Sequence, residues 1–368
     1  MSSHHIIRET VDPPRYSLTF PIYQTSAYKL PEGEAYRYGR EGNPTVEELQ
    51  RILTVLEHAE DTVCFSSGMG AITTSLLSVL SPNDRLVIPI DTFARTSRFA
   101  KQFLSKWGVN VKIVAPGTDS VLEAVGQRTV VFVETVSNPI LRVYDVGQIA
   151  REVHSGGGIL ITDSTFLTPV NGSPLQFGSD LDIHSLSKFI GGHNDLIGGS
   201  ASGSSDIIKR IDAFRRTLGT NMDPNTAFLI IRGIKTLDLR MQRINENALE
   251  IARRLSLDRS FSGVSYPGLP DHPDHDIAKR TLKGYGGVVT FRKPIFRGGK
   301  IPSFDGLKVV TPANTLGNVN SIISHPVTMS HRSLEPSEFK QLGIDDATFR
   351  LSVGIEDPAL IVDDLQNL

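Results

Sequence analysis

The 368-residue chain has one cysteine, one tryptophan and no excess of charge of either sign, with 38 Lys+Arg set against 40 Asp+Glu. A single cysteine, Cys64, excludes an internal disulfide framework and any zinc site built on several thiolates, and it fits a reducing, cytoplasmic setting. A formal charge of −2 with both signs interspersed leaves no basic field to hold nucleic acid or an anionic membrane surface. No apolar run approaches the roughly 20 residues that span a bilayer, and the start lacks the basic-then-apolar order of a secretion signal. The 10 histidines, including His4-His5, show no His-Glu-x-x-His spacing, so no metal site is expected. His272-Pro-Asp-His275 reads as an exposed polar loop.

What is present falls into three regions. Residues 1–44 read as an extended arm, because Pro13, Pro14, Pro21 and Pro31 interrupt any periodicity. Asn43 as a cap, Pro44 at the first helical position, and Val46, Leu49, Ile52, Leu53 and Leu56 at helical spacing then predict an amphipathic helix. Short β-branched runs at 85–90, 110–115, 129–134, 158–162 and 181–184 alternate with helical stretches at 70–80, 96–107 and 146–154. That alternation predicts an α/β domain over about 45–225, its mostly parallel sheet covered on both faces. One long helical stretch over 226–256 leads into a smaller α+β domain that completes 226–368.

Open parallel sheets bind ligands beyond the carboxyl ends of their strands, so the residues after each run carry the chemistry. Ser66-Ser67-Gly68-Met69-Gly70-Ala71 at a helix start is either a tight turn or a phosphate cradle of backbone N–H groups. Asp163, directly after an apolar run, either caps a turn or faces a protonated ring nitrogen. Lys188 follows the 181–184 run and lies between the hydroxyls of Ser185 and Ser187 and the apolar Phe189-Ile190. Placed so, a lysine can be desolvated enough to act as an amine nucleophile. Asn138 before Pro139 is a turn residue or a donor to a ring substituent. A nucleophilic lysine, an aspartate for a pyridinium nitrogen and a glycine-rich helix start with hydroxyls nearby are the parts that pyridoxal 5'-phosphate requires.

Further segments recur in order with these. Tyr36-Arg-Tyr-Gly-Arg-Glu-Gly-Asn-Pro-Thr45, Ser67-Gly-Met69, Glu134-Thr-Val-Ser-Asn-Pro139, Asp163-Ser-Thr-Phe166 and Ser185-Leu-Ser-Lys-Phe189 are followed by three more. These are Arg232-Gly-Ile-Lys-Thr-Leu237, Ser324-His-Pro-Val-Thr-Met-Ser-His331 and Arg350-Leu-Ser-Val-Gly-Ile-Glu-Asp357. Together they resemble the Cys/Met-metabolism (trans-sulfuration) family of pyridoxal-phosphate enzymes, from about Pro21 to the C-terminus. The resemblance implies the pyridoxal-phosphate-dependent transferase fold (fold type I), with Lys188 as the covalent cofactor lysine and proton shuttle. It implies Asp163 at the ring nitrogen, Gly68, Met69, Ser185 and Ser187 around the phosphate, and Tyr38 and Arg40 completing the phosphate site of a neighbouring subunit. A homo-oligomer, a dimer of catalytic dimers, follows. Arg350 is matched to the substrate α-carboxylate, with Asn138 beside it.

Three positions depart from the family pattern. Phe93 stands where most members stack a tyrosine on the cofactor, so the phenol is missing. Asn314-Thr315 stands where synthases and lyases often have Glu-Ser, which weakens recognition of a distal amino group, and Ser187 stands where Thr is commoner. The resemblance implies γ-elimination or γ-replacement on cystathionine- or homoserine-type substrates. The alternatives are another γ- or β-substituted amino acid such as methionine, or a cofactor-binding protein without turnover.

Overall fold

The computed structural model describes residues 17–30, 36–294, 303–332 and 334–368. His4-His5, Pro13, Pro14 and Pro31 of the expected arm lie outside those residues; its described parts, 17–30 and 36–44, form no strand beyond an isolated bridge between Ala27 and Tyr38. Asn43 caps helix α1 (Pro44–Glu57), its side-chain oxygen accepting from the N–H groups of Thr45 and Val46. The expected apolar stripe of Val46, Leu49, Ile52 and Leu53 enters the core.

A seven-stranded sheet follows. Its elements in chain order are β1 (Asp61–Phe65), α2 (Gly68–Val79), β2 (Arg85–Pro89), α3 (Ala94–Phe99), β3 (Asn110–Val114), α4 (Thr118–Leu122), β4 (Thr129–Glu134) and α5 (Val146–Ser155). Then come β5 (Ile159–Asp163), α6 (Thr168–Asn171), β6 (Leu181–His184), β7 (Gly199–Gly203) and α7 (Ser205–Leu218). The strand order is β1-β7-β6-β5-β4-β2-β3. β7 runs antiparallel to β1 and β6, and the other pairs are parallel. All five expected runs are strands, to within a residue or so at their ends. β7 had no β-branched signal because its Gly-Ser-Ala-Ser-Gly must be small: a Cβ on Gly199 would lie 2.3 Å from the Ser67 carbonyl oxygen at the start of α2.

Helical expectations needed two corrections. The stretch expected over 96–107 begins at Ala94 as α3 and then widens at Ala100–Leu104 into a π-turn, in which Ser105 N–H reaches the Ala100 carbonyl at 3.1 Å. The single helix expected over 226–256 is two, α8 (Pro224–Ile234) and α9 (Leu237–Leu257). The break sits where Arg240 of α9 sends its guanidinium to the carbonyl of Gly233 (2.8 Å), which a continuous helix would use, and beyond it to the carbonyls of Phe189 (2.6 Å) and Ile190 (3.1 Å). Burial lowers the Arg240 guanidinium to about 10. Through these bonds α9 holds the turn that follows Lys188.

The chain then builds a five-stranded sheet of order β10-β11-β12-β9-β8. Its parts are β8 (Ser262–Ser265), α10 (His275–Thr281), β9 (Val288–Arg292), β10 (Thr311–Pro312), β11 (Ile322–Ser324), α11 (Pro336–Leu342), β12 (Thr348–Ser352) and α12 (Pro358–Leu365). Phe261, Phe291 and Phe349 pack with Ile251 and Leu255 of α9 and Ile361 of α12 in its core. The loop expected to be exposed at 272–275 is so only in part: Pro273 is exposed, but His272 and Asp274 are buried, and Asp274 receives the Arg142 guanidinium (Nη2 at 2.8 Å) and the Val143 N–H (3.0 Å).

Candidate active site

β4 and β5 end side by side on acidic residues, Glu134 and Asp163, which are register partners. Both face a cavity of about 700 Å³. Burial raises both carboxyls above their ordinary range, Glu134 the more strongly, and the neighbouring Asp163 charge raises Glu134 further. Asp163 accepts from the Thr165 N–H at 2.9 Å, and Glu134 from the Phe93 N–H. A buried and a half-buried carboxylate at adjacent strand ends, each accepting from a neutral backbone donor, form a place for a cation.

The turn after β6 brings in Lys188. Its Nζ donates to Thr315 Oγ1 at 3.0 Å, and burial, with a smaller push from the Arg350 charge, lowers its ammonium from the ordinary value. Gly317 sits against this lysine in the left-handed region (φ 78°), where a Cβ would lie 2.9 Å from Lys188 Cβ and 2.6 Å from Phe189 N. Ser67 caps α2 by accepting from the Gly70 N–H at 2.9 Å. A Cβ on Gly68 would lie 2.8 Å from Ser185 Cβ, so only glycine lets the helix start approach the lysine turn. Ser187 is anchored by the Gly198 N–H, which it accepts at 3.0 Å. The helix N-terminus, Met69 and the two serines thus share one wall of the cavity.

The opposite wall comes from the second sheet. Arg350 on β12 is 3% exposed and donates to Asn138 Oδ1 and the Thr315 carbonyl, both at 3.0 Å. Its Nε has no partner among the described residues, and burial lowers the guanidinium to about 10. Asn138 precedes a cis peptide bond to Pro139, and its carbonyl accepts from His331 Nε2 at 3.2 Å. Phe93 and Asn314 also line the cavity.

Eleven of the residues singled out in the sequence therefore meet in one cavity, and Tyr38 and Arg40 do not. Tyr38 is 47% exposed; Arg40 stacks over its ring at 5.5 Å and donates to the Arg216 carbonyl at 2.6 Å. Glu134, Arg95 and Arg332 line the cavity and were not singled out. Glu134 carries the signal that exposed Asp163, a carboxylate closing an apolar run, whereas nothing in the local pattern marks the two arginines.

Fold and cavity define an α/β protein built to hold an anionic, ring-bearing cofactor at a desolvated lysine. The chain belongs to the family described as Cys/Met metabolism PLP-dependent enzymes, which it matches over residues 5–368. It is 37% identical over 355 residues to chloroplastic cystathionine gamma-synthase 1 of Arabidopsis thaliana, covering 93% of this chain but 63% of that one, so it spans less than two thirds of the plant protein. It is 35% identical over 356 residues to cystathionine gamma-lyase of Bacillus subtilis, covering 95% and 93%. Among solved structures, cystathionine gamma synthase from Xanthomonas oryzae pv. oryzae in complex with cystathionine superposes with a TM-score of 0.94 at 34% identity, over 100% of this chain and 97% of that one. Pyridoxal phosphate is the family's cofactor. The donor set fits it: a cradle only glycine permits, two hydroxyls, an amine of lowered basicity and buried carboxylates without a cation.

Proposed function

We propose that the chain is a pyridoxal-phosphate-dependent trans-sulfuration enzyme acting by γ-replacement or γ-elimination on a homoserine- or cystathionine-type amino acid. The observation that carries this reading is Arg350: a buried guanidinium whose partners are neutral and whose Nε is free lacks a counter-charge, and a substrate α-carboxylate supplies one. Bound at Lys188, the cofactor supplies an electron-accepting ring that weakens bonds at the substrate α-carbon. Gly68, Met69, Ser185 and Ser187 hold its phosphate, and Asp163 keeps its ring nitrogen protonated. Burial lowers the basicity of Lys188 Nζ, which favours its amine form, so that with the cofactor bound this side chain would be the group placed to take the substrate α-proton and return it at a neighbouring carbon. Phe93 stacks and does not donate.

Of the other residues lining the cavity, Asn314 is neutral, and Arg95 and Arg332 are exposed cations with no ion pair among the described residues. That balance supports a γ-substituent bearing negative charge, and so replacement at an acidic homoserine ester over cleavage of cystathionine. Tyr38 and Arg40 complete the phosphate site across a subunit boundary; supporting this are their place outside their own cavity and the exposure of Ile197 at its rim. An arm over 1–44, a cofactor domain over 45–225 and a small domain over 226–368 belong to the same reading, supported by one sheet within 61–203 and another within 262–352. No helix among the described residues is long and apolar enough to cross a membrane, and the one cysteine supports a cytoplasmic setting.

The test is a panel of cystathionine, methionine, and acetyl, succinyl and phosphoryl homoserine each with cysteine, following keto acid, thiol and cystathionine. Replacement with the charged esters at rates well above the acetyl ester is expected. Turnover of none of them would overturn the reading.

A further inference from the structure

Behind Lys188, on the side of β6 away from the cavity, three buried ionisable side chains meet: Glu57 at the end of α1, and Asp182 and His184 on β6. His184 Nε2 lies 2.7 Å from Glu57 Oε1 and 3.2 Å from Asp182 Oδ2. Tetrahedral ligands of one zinc ion stand about 3.3 Å apart, so the 2.7 Å contact is too close for two ligands of one such ion; the three groups form an ion-pair cluster whose facing atoms have no hydrogen-bond partner among the described residues. Two carboxylates against one imidazole favour its protonated, positive form. The other oxygen of Asp182, Oδ1, accepts the hydroxyls of Thr162 and Ser164, both at 2.7 Å. Those are the residues on either side of Asp163, whose Cα partner on β6 is Ile183, the residue between Asp182 and His184.

We propose that Glu57, His184 and Asp182 form a buried relay that positions Asp163 and keeps it ionised toward the cofactor's ring nitrogen. Asp182 pins both neighbours of Asp163 and so fixes the backbone from which that carboxylate faces the cavity. His184 brings a positive charge within reach of Asp163 through the end of the sheet, and Glu57 keeps that charge in place. Burial alone disfavours a charge on His184, yet the Glu57 and Asp182 carboxylates raise its imidazole well above the ordinary range. The same imidazolium works against the burial that raises Asp163. Two further groups share this balance: Glu134, beside Asp163 on β4, and Asp182, whose negative charge opposes that of His184. All three relay members are positioning residues, since none lines the cavity.

This inference rests on the proposed role of Asp163, so the experiment separates the two. Holoenzyme is loaded with pyridoxal phosphate labelled with ¹⁵N in the ring, and the nitrogen's chemical shift is followed against pH in wild type, Asp163→Asn, His184→Gln and Asp182→Asn. Expected is a protonated ring nitrogen throughout in wild type, an unprotonated one in Asp163→Asn, and in the two relay variants a titration midpoint lowered by about one unit or more, with kcat down about tenfold and KM little changed. An unprotonated nitrogen in wild type, or a protonated one in Asp163→Asn, overturns the role of Asp163. A normal shift for Asp163→Asn with relay variants that keep the wild-type titration and lose only thermal stability overturns the relay. Should His184→Gln and Asp182→Asn not fold, Thr162→Val with Ser164→Ala removes the two hydroxyl links. An unchanged midpoint in that double variant counts against the relay, and a lowered one supports it.

Discussion

Arg350 and Arg40 are both proposed to hold an anion, and the chain treats them in opposite ways. Arg350 sits mid-strand on β12, its forked guanidinium fixed by Asn138 and Thr315, with neighbours that cannot move without breaking a sheet. Arg40 lies in a turn on the surface, partnered by a backbone carbonyl, a tyrosine face and the side chain of Glu41 at 3.6 Å. A group whose geometry must be right before substrate arrives is built into a core. A group that works on a neighbouring subunit is left outside the core until that subunit docks.

The largest break in this contrast is at the cavity's centre. Lys188→Ala should lower turnover by about 10⁴-fold or more while leaving noncovalent cofactor binding measurable by dialysis and absorbance. Arg350→Lys should lower kcat/KM by about 100-fold, mostly through KM, because an ammonium cannot replace a fixed fork; steady-state kinetics on the accepted substrate checks this. Acid should weaken the core-built side. His331 donates from Nε2 to the Asn138 carbonyl and accepts at Nδ1 from Ser330, so it is neutral, and burial lowers it to about 4. Its folded value lies below the unfolded one, so the unfolded chain binds the extra proton, and stability present above about 6.5 is lost as pH falls toward 4. Urea unfolding across that window should show a drop of about 3 kcal/mol that His331→Gln removes.

Complementation tests the surface half of the comparison. Mixing Arg40→Ala with Lys188→Ala, unfolding and refolding together, should restore about a quarter of wild-type activity if Arg40 serves its neighbour: random pairing gives half heterodimers, each with one intact site. No recovery would place Arg40 within its own subunit or outside the site. The smallest effect is expected for Phe93→Tyr, under about threefold in kcat, since the proposed carrier of the proton is Lys188 and not a phenol.

How much of this was legible in the sequence depended on what each residue had to satisfy locally. β2, β4 and β5 were readable because their buried positions are mostly apolar and largely β-branched, whereas β3, an edge strand half open to solvent, showed itself by Val111, Ile113 and Val114, and β6 by Leu181 and Ile183 alone. The residues closing those runs, Asp163 and the turn bearing Lys188, stood out because charge next to an apolar run is costly without a purpose. β7 escaped because its constraint is close approach to α2, which demands small residues and erases the β-branched signature. The α8–α9 break escaped because the Arg240 guanidinium that takes the Gly233 carbonyl is held there by the Phe189 and Ile190 carbonyls, about 50 residues away in the chain. Asp274 escaped in the same way, its partner Arg142 lying 132 residues earlier. Glu134 was within reach of the rule that found Asp163.

Cys64 remains, buried on β1, an edge strand whose ladder partner is β7. Burial pushes its thiol above the ordinary range, so in the closed protein it offers almost no thiolate to a labelling reagent. As the chain's one sulfhydryl, it is a built-in clock. The rate at which a reagent consumes it measures how often that margin of the sheet comes apart, and comparing the rate with and without cofactor measures how far ligation at α2 and β6 is felt two strands away.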